Sequence, residues 1–348
     1  MRCMIAFRTI FRLGLLLCLF VFLLFSMGLG EEHPDTREQY IVLATVRTDT
    51  IKKQLAEASA QGYRIVAGDA ANNFLLLKKG QVSDRSDYRY FDNLFRGMKE
   101  AAAEGYRLLP DTLGTREYVV GGVMEKVAGS PRYEYEILDT VKTSNFQKDL
   151  ADAAAEGWKL VGLQSEVRHY GVLERLNGRG SPAEHMSDYL QLATKRPSTI
   201  QREIDDAASR GYRVVGATAA EEMIVVLEGP AEVTPARYEY QVLSVARSGT
   251  LEKEINAAAA RGFRVLPNTM SLFKKKSMLS FPSSDELAVV MEKDLTDSRT
   301  HEYKLLGTRR VSTLAKELNE TVAQGFEVAG TMLSYQEQLI LLERTSSK

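Results

Sequence analysis

The chain has 348 residues, of which 26% are charged and 44% hydrophobic, and its formal net charge is −1 at neutral pH. These values exclude a disordered, collagen-like or disulfide-framework protein, and the length allows one to three domains with a sizeable core.

Residues 1–30 begin with Arg2, Arg8 and Arg12, continue as an apolar run from Leu13 to Met27, and end in Gly28-Leu29-Gly30 ahead of Glu31 and Glu32. A basic start, an apolar middle and small residues before an acidic stretch predict a secretory signal peptide, cleaved after Gly30 or Gly28. The expected location is therefore secreted or periplasmic. The alternative is an uncleaved N-terminal membrane anchor, since the uncharged stretch Leu13 to Gly30 is 18 residues, the lower limit for a bilayer span. Cys3 and Cys18 both fall in this leader, so the mature chain has no disulfide and no thiol ligand or nucleophile. Loss of the three arginines takes the formal charge from −1 to −4. Residues 31–37 read as a flexible lead-in.

From residue 38 onward one phrase recurs six times: an Ala-rich amphipathic helix, a glycine, an aromatic, then usually a basic residue. It reads Gly62-Tyr63-Arg64, Gly105-Tyr106-Arg107, Gly157-Trp158-Lys159, Gly211-Tyr212-Arg213, Gly262-Phe263-Arg264 and Gly325-Phe326-Glu327. The glycine fits the left-handed residue that commonly follows a helix C-cap. Ahead of each helix lies a strand-like segment with period-two alternation, such as Tyr133-Glu134-Tyr135 and Tyr238-Glu239-Tyr240. It is weakest in the second copy, around Tyr88-Arg89-Tyr90. Two further strands follow each glycine, so every unit reads β-α-β-β.

Residues 40–80 match 189–229 without a gap at an offset of 149: Thr45, Arg47 and Ile51 meet Thr194, Arg196 and Ile200. Leu109-Pro110-Asp111-Thr112 in copy two returns as Leu266-Pro267-Asn268-Thr269 in copy five, and copies three and six both end in Leu-Glu-Arg. The chain is thus expected to be α+β, six tandem βαββ repeats in a duplicated three-unit arrangement, with antiparallel sheets and short amphipathic helices on one face. The first three-repeat lobe spans 38–176 (units near 38–80, 86–128 and 131–176), a linker 177–186, and the second lobe 187–346 (units near 187–229, 236–295 and 300–346). Continuously apolar third strands such as Phe74-Leu75-Leu76-Leu77 predict burial on both faces, by the unit's own helix and a neighbouring sheet. Two compact lobes or one closed ring both satisfy this, and two lobes are the expected arrangement.

Tyr133-Glu134-Tyr135 and Gly157-Trp158-Lys159-Leu160-Val161 resemble a short uncharacterised bacterial βαββ domain family, here over residues 38–346 in six pieces. The resemblance implies a small α+β fold and no activity, so it assigns no functional residue.

The search for chemistry yields no catalytic, cofactor-binding or metal residue. His33, His169, His185 and His301 lack metal-ligand spacing and read as solvated loop residues; Gly178-Arg179-Gly180 opens no phosphate-binding helix. Asp205-Asp206 and Glu221-Glu222 read as solvated faces, the Leu-Glu-Arg and Met-Glu-Lys endings as solubilising charges, and the aromatics after glycine as core. The basic residues beside those aromatics could form an anion site only if the repeats close, and Glu327 interrupts the series. Copy five carries ten extra residues within 270–282, where Leu272, Phe273, Lys274, Lys275, Lys276, Met278 and Phe281 form a basic, apolar candidate contact for an anionic membrane or a partner. The sequence therefore predicts an exported non-enzymatic binding or scaffold module with no cofactor. Its partner would be a protein or envelope component. Membrane contact is confined to the N-terminal segment or the 270–282 loop, and the acidic mature chain argues against nucleic acid. The alternative is an exported hydrolase whose site forms between repeats.

Overall fold

Local signals are obeyed first. All six landmark glycines have positive φ, from 83° at Gly157 to 93° at Gly262, and each follows directly on the end of a helix. The structure is a computed structural model that describes residues 39–81, 86–126, 129, 131–177, 188–229, 237–274, 285–308, 310–333 and 337–346. The leader, the lead-in, most of the 177–186 connection and residues 275–284 lie outside the described residues.

Unit 1 comprises β1 (Tyr40–Ala44), α1 (Thr48–Ala60), β2 (Tyr63–Asp69) and β3 (Phe74–Lys79). Unit 2 is β4 (Asp87–Phe91), α2 (Met98–Ala103), β5 (Tyr106–Arg116) and β6 (Val119–Lys126). Unit 3 is β7 (Tyr133–Thr140), α3 (Thr143–Ala155), β8 (Lys159–Ser165) and β9 (His169–Leu176). Unit 4 follows with β10 (Tyr189–Thr194), α4 (Pro197–Ser209), β11 (Arg213–Ala219) and β12 (Met223–Glu228). Unit 5 has β13 (Tyr238–Val245), α5 (Ser248–Ala259), the short β14 (Arg264–Val265) and β15 (Ser271–Phe273), and β16 (Glu286–Asp294). Unit 6 closes the series with β17 (Thr300–Thr308), α6 (Val311–Val322), β18 (Glu327–Leu333) and β19 (Gln338–Ser346). The weakly signalled first strand of unit 2 is formed: Tyr88 sits opposite Glu125.

In every sheet the last strand is central and antiparallel to both neighbours, as in the order β1-β3-β2. First and second strands therefore run parallel, joined by the helix as a crossover. The second strand is bulged in every unit but to different depths. Units 1, 3, 4 and 6 insert one residue, for example Val161 between Leu160 and Gly162. Unit 2 skips from Leu109 to Gly114, and unit 5 breaks between Val265 and Ser271. Here the shared Pro-containing motif acts: Thr112 Oγ1 donates to Leu109 O at 2.7 Å and accepts Val123 N–H at 2.8 Å, and Thr269 repeats this with Leu266 O at 2.6 Å and Val290 N–H at 2.9 Å. One hydroxyl thus completes the ladder where the backbone leaves it.

Buried apolar side chains among the described residues fall into six clusters, each joining two adjacent units. Leu75 and Leu77 of β3 meet Ile51 and Leu55 of α1 together with Tyr90 and Val123 of unit 2. On the opposite face of the same strand, Phe74 and Leu76 meet Leu314 and Leu318 of α6. The apolar run is thus buried on both sides, and its second face meets both the helix of unit 6 and that unit's sheet, through Ile340 and Leu342. The remaining clusters join units 2 and 3, 3 and 4, 4 and 5, and 5 and 6.

The cluster joining unit 6 to unit 1 decides between the two arrangements. Asn319 of α6 accepts the Tyr40 N–H at 2.9 Å and donates to Tyr40 O at 2.8 Å, as Asn256 of α5 holds Tyr303 at 2.9 and 2.9 Å. Residues 39–348 form one compact unit, and its six modules close into a ring; the expectation of two lobes is corrected. Each module exposes one apolar face at either end of the series, and closure buries both against each other.

Candidate functional site

The residues that carry the repeat signature prove to be joints between units. The second tyrosine of Tyr-x-Tyr, like Tyr303 of His301-Glu302-Tyr303 in unit 6, accepts a backbone N–H from the preceding unit: Leu108 to Tyr135, Val214 to Tyr240 and Val265 to Tyr303, at 3.0 to 3.1 Å. Its hydroxyl donates to the carboxylate near the end of its own central strand, Tyr135 to Glu174 at 2.5 Å and Tyr240 to Glu292 at 3.0 Å. That carboxylate also receives the basic residue of the preceding unit: Arg64 to Glu125 at 3.0 Å, Arg107 to Glu174 at 2.9 Å, and Arg213 to Glu292 through two bonds of 2.9 Å. The first tyrosine lies under the same guanidinium, with Arg107 4.3 Å from the Tyr133 ring and Arg213 4.5 Å from Tyr238.

Glu292 is the extreme case, fully buried and also bonded by Arg264 at 3.0 Å. Burial pushes its carboxyl upward, but the two guanidiniums and Tyr240 outweigh that and hold it below the usual glutamate value. The strand-end charges are thus connectors rather than solubilising groups. The last basic residue stacks on its own unit's aromatic and caps its own helix. Arg175 lies 4.3 Å from the Trp158 ring and donates to Glu156 O at 3.2 Å; Arg344 lies 4.6 Å from Phe326 and donates to Gln324 O at 3.0 Å. His301 is corrected too: its side chain is 6% exposed and its Nδ1 lies 2.5 Å from Glu343 Oε1. His169 sits half-buried 3.0 Å from Ser165 Oγ, and burial lowers its pKa. His33 and His185 lie outside the described residues. Among the described residues no three His, Cys, Asp or Glu side chains gather as metal ligands.

The 270–282 candidate is divided. Phe273 is 2% exposed within the cluster between units 4 and 5, because Ser271–Phe273 is a strand paired with β16, and Leu272 packs into the next cluster. Phe273 is therefore buried, whereas Leu272 is only partly covered and also lines the cavity among the second strands. Lys274 donates its N–H to Ala220 O at 2.7 Å and sets Nζ 3.6 Å from Glu166 Oε1, bridging units 5 and 3 across unit 4. Lys275, Lys276, Met278 and Phe281 lie outside the described residues.

Sequence reasoning missed the place where the ring's non-equivalent side chains converge. A cavity of about 560 Å³ lies among the distal halves of all six second strands, its wall including Asp69, Arg116, Glu166, Thr218, Lys274 and Gln338, one from each unit. The deep bulges of units 2 and 5 shape it. A Cβ at Gly162 would lie 2.0 Å from Leu113, and one at Gly330 2.9 Å from Pro267, so each bulge leans on the glycine of the following unit. Asp69 accepts the Asn72 N–H at 3.1 Å on one oxygen and the Asn72 amide at 2.9 Å on the other. Burial nevertheless lifts its pKa to about 6, and burial lifts Asp111 as well. Glu166 Oε2 and Gln338 Oε1 are buried without a hydrogen-bond partner among the described residues. A signal did exist, because Asp69 meets Thr218 at the 149-residue offset and Asp111 meets Asn268, breaks in an otherwise close match.

No protein-family model matches the chain, and no curated protein matches it.

Proposed function

We propose that the chain is an exported, non-enzymatic binding module whose ligand seat is the axial cavity. The observation that carries this reading is the polar, non-equivalent lining of the cavity, to which Asp69, Arg116, Glu166, Lys274 and Gln338 contribute from different units. Asp69, Asp111 and Glu117 line the same cavity beside Arg116 and Lys274, so the ligand is a small, donor-rich molecule of neutral or positive charge. Thermal-shift titration with polyols, amino sugars and diamines tests this. At least one class should raise the melting temperature of the wild type and leave Thr331→Trp, which fills the cavity, unmoved. Identical responses of the two proteins to every class would remove the cavity as the seat.

Export belongs to the same proposal and is supported by the composition of residues 1–30. We also propose ancestry from a βαββ module through a duplicated triplet, with each helix covering one face of its own sheet. The matched Thr112 and Thr269 ladders and the mixed helix–sheet clusters support this. A hydrolase remains the second reading because Asp69 and Asp111 both titrate above the usual aspartate value on one wall. Both Asp69 oxygens already serve the Asn72 turn, which favours binding over catalysis. Hydrolysis of a glycoside or ester panel that is lost in Asp69→Asn and Asp111→Asn would reverse that preference.

A further inference from the structure

We infer that the outer edge of β4, in the seam between units 1 and 2, takes an extended peptide of a partner protein as an added strand. In every sheet the first strand lies at the edge. Such an edge presents backbone N–H and C=O groups that must be paired or covered. Four seams pair them with one side chain from the preceding unit's helix. Asn319 of α6 takes both the N–H and the C=O of Tyr40, and Asn256 of α5 takes both of Tyr303. Gln147 of α3 takes Tyr189 O at 3.0 Å and the Gln191 N–H at 2.6 Å; Gln201 of α4 takes Tyr240 O at 2.9 Å and the Val242 N–H at 2.7 Å. Each carboxamide supplies one donor and one acceptor, which is what a residue of a neighbouring strand supplies.

These four side chains directly follow buried helix residues: Phe146, Ile200, Ile255 and Leu318. In α1 the same places follow Ile51 and Leu55, and they hold Lys52 and Ala56. Tyr88 is the β4 counterpart of Tyr40 and Tyr240. It sits opposite Glu125, and its hydroxyl accepts the Ile65 N–H at 3.3 Å. That phase turns the N–H and C=O of Tyr88, and the N–H of Tyr90, towards α1. Ser59 of α1 bears this out by donating to Ser86 O, two residues earlier on the same edge. Beyond that bond, none of these Tyr88 and Tyr90 backbone groups has a partner among the described residues. A groove of about 440 Å³ opens there instead, walled by Lys52, Ala56 and Ala60 on the helix and by Tyr88 and Tyr90 on the strand.

The seam between units 2 and 3 also lacks a carboxamide, but large side chains stand at its two places. Phe95 packs edge-on against Tyr170 with ring centres 6.2 Å apart, and Lys99 pairs with Glu136 at 2.6 Å. A line of alternating donors and acceptors beside small helix residues is the recognition surface for a main chain, read by strand addition. Charge narrows the occupant. Asp87 at one end of the groove accepts the Tyr106 hydroxyl, whereas the exposed Lys52 at the other has no ion-pair partner among the described residues. The added strand therefore carries an acidic side chain towards Lys52, and no proline where its N–H must donate.

The test pans a displayed library of random seven-residue peptides on the full chain and measures the affinity of those selected. Ala56→Asn rebuilds the clasp that Asn256 and Asn319 make. It should weaken the selected peptides at least about tenfold while the melting temperature holds or rises. Lys52→Glu should weaken those with an acidic residue about threefold. Selection of no peptide, or equal affinity for the wild type and Ala56→Asn, overturns the proposal. Amide hydrogen exchange gives a readout that needs no peptide. In the free chain the Tyr88 and Tyr90 N–H groups should exchange faster than those of Tyr40 and Val242, and Ala56→Asn should slow them. Protection equal to that of Tyr40 and Val242 in the free wild type would mean that the chain covers this edge itself, and overturns the proposal.

Discussion

Two seams of the ring make the same contact with opposite charge. Between units 4 and 5, Arg213 follows the second-strand aromatic and reaches the buried Glu292 near the end of the next central strand. Between units 6 and 1 the equivalent places hold Glu327 and Lys78, 3.3 Å apart, the first largely exposed and the second partly covered. The register establishes the equivalence: Lys78 lies opposite Tyr40 and Arg64, as Glu125 lies opposite Tyr88 and Arg107. Glu327, which breaks the repeat in the sequence, is therefore the complement of another break 249 residues away. The swap teaches that the ends of the array are marked for each other. An unswapped end would set like charges together, a penalty against the wrong register.

The largest effect is expected at the buried seam. Glu292→Ala strands two guanidiniums and Tyr240, and should lower the unfolding free energy by about 3 kcal/mol in urea titrations. Glu125→Ala, whose single partner Arg64 is half exposed, should cost about 1 kcal/mol. A cost below 1 kcal/mol at Glu292 would show that the buried lock contributes little.

The closing seam comes next. Asn319→Ala should cost about 1–2 kcal/mol and match Asn256→Ala, since both lose two hydrogen bonds to one strand residue. If Asn319→Ala is silent while Asn256→Ala is not, the ring is open in solution.

Proton linkage separates the seam from the axis by sign. Glu292 is held below its unfolded value, so its contribution is present above about pH 4.5 and is lost as pH falls through its folded value. Asp69 is raised from 3.8 to about 6, so its contribution is present below about pH 4 and is lost as pH rises through 6. Asp69→Asn should flatten the stability profile between pH 4 and 6, and Glu292→Gln its acid limb. An unchanged slope in either variant would assign the titration elsewhere.

The smallest effect is the swap itself. Lys78→Glu or Glu327→Lys should each cost no more than about 1 kcal/mol because the pair is exposed, and the double exchange should recover the loss. Additive losses would show that the two side chains do not interact.

Much of the fold was legible because its signals are local. A glycine in the left-handed region ends each helix whatever surrounds it, period-two alternation marks strands such as Tyr133–Thr140, and an apolar run such as Phe74–Leu77 announces two covered faces. The candidate site was not legible. Asp69 and Gln338 are far apart in the chain and meet only because the ring closes, and Phe273 looked like an exposed contact until Ser271–Phe273 paired with β16.

The sequence by itself determined the module, its six copies and the landmarks at which each helix stops, since these follow from backbone sterics and hydrophobic periodicity within some forty residues. Only the tertiary structure decided that the copies form a ring, that the signature tyrosines and arginines are its joints, and that a cavity lies on its axis. Those facts depend on contacts between residues up to 279 positions apart, whose pairing is selected by what remains unburied once every module has folded.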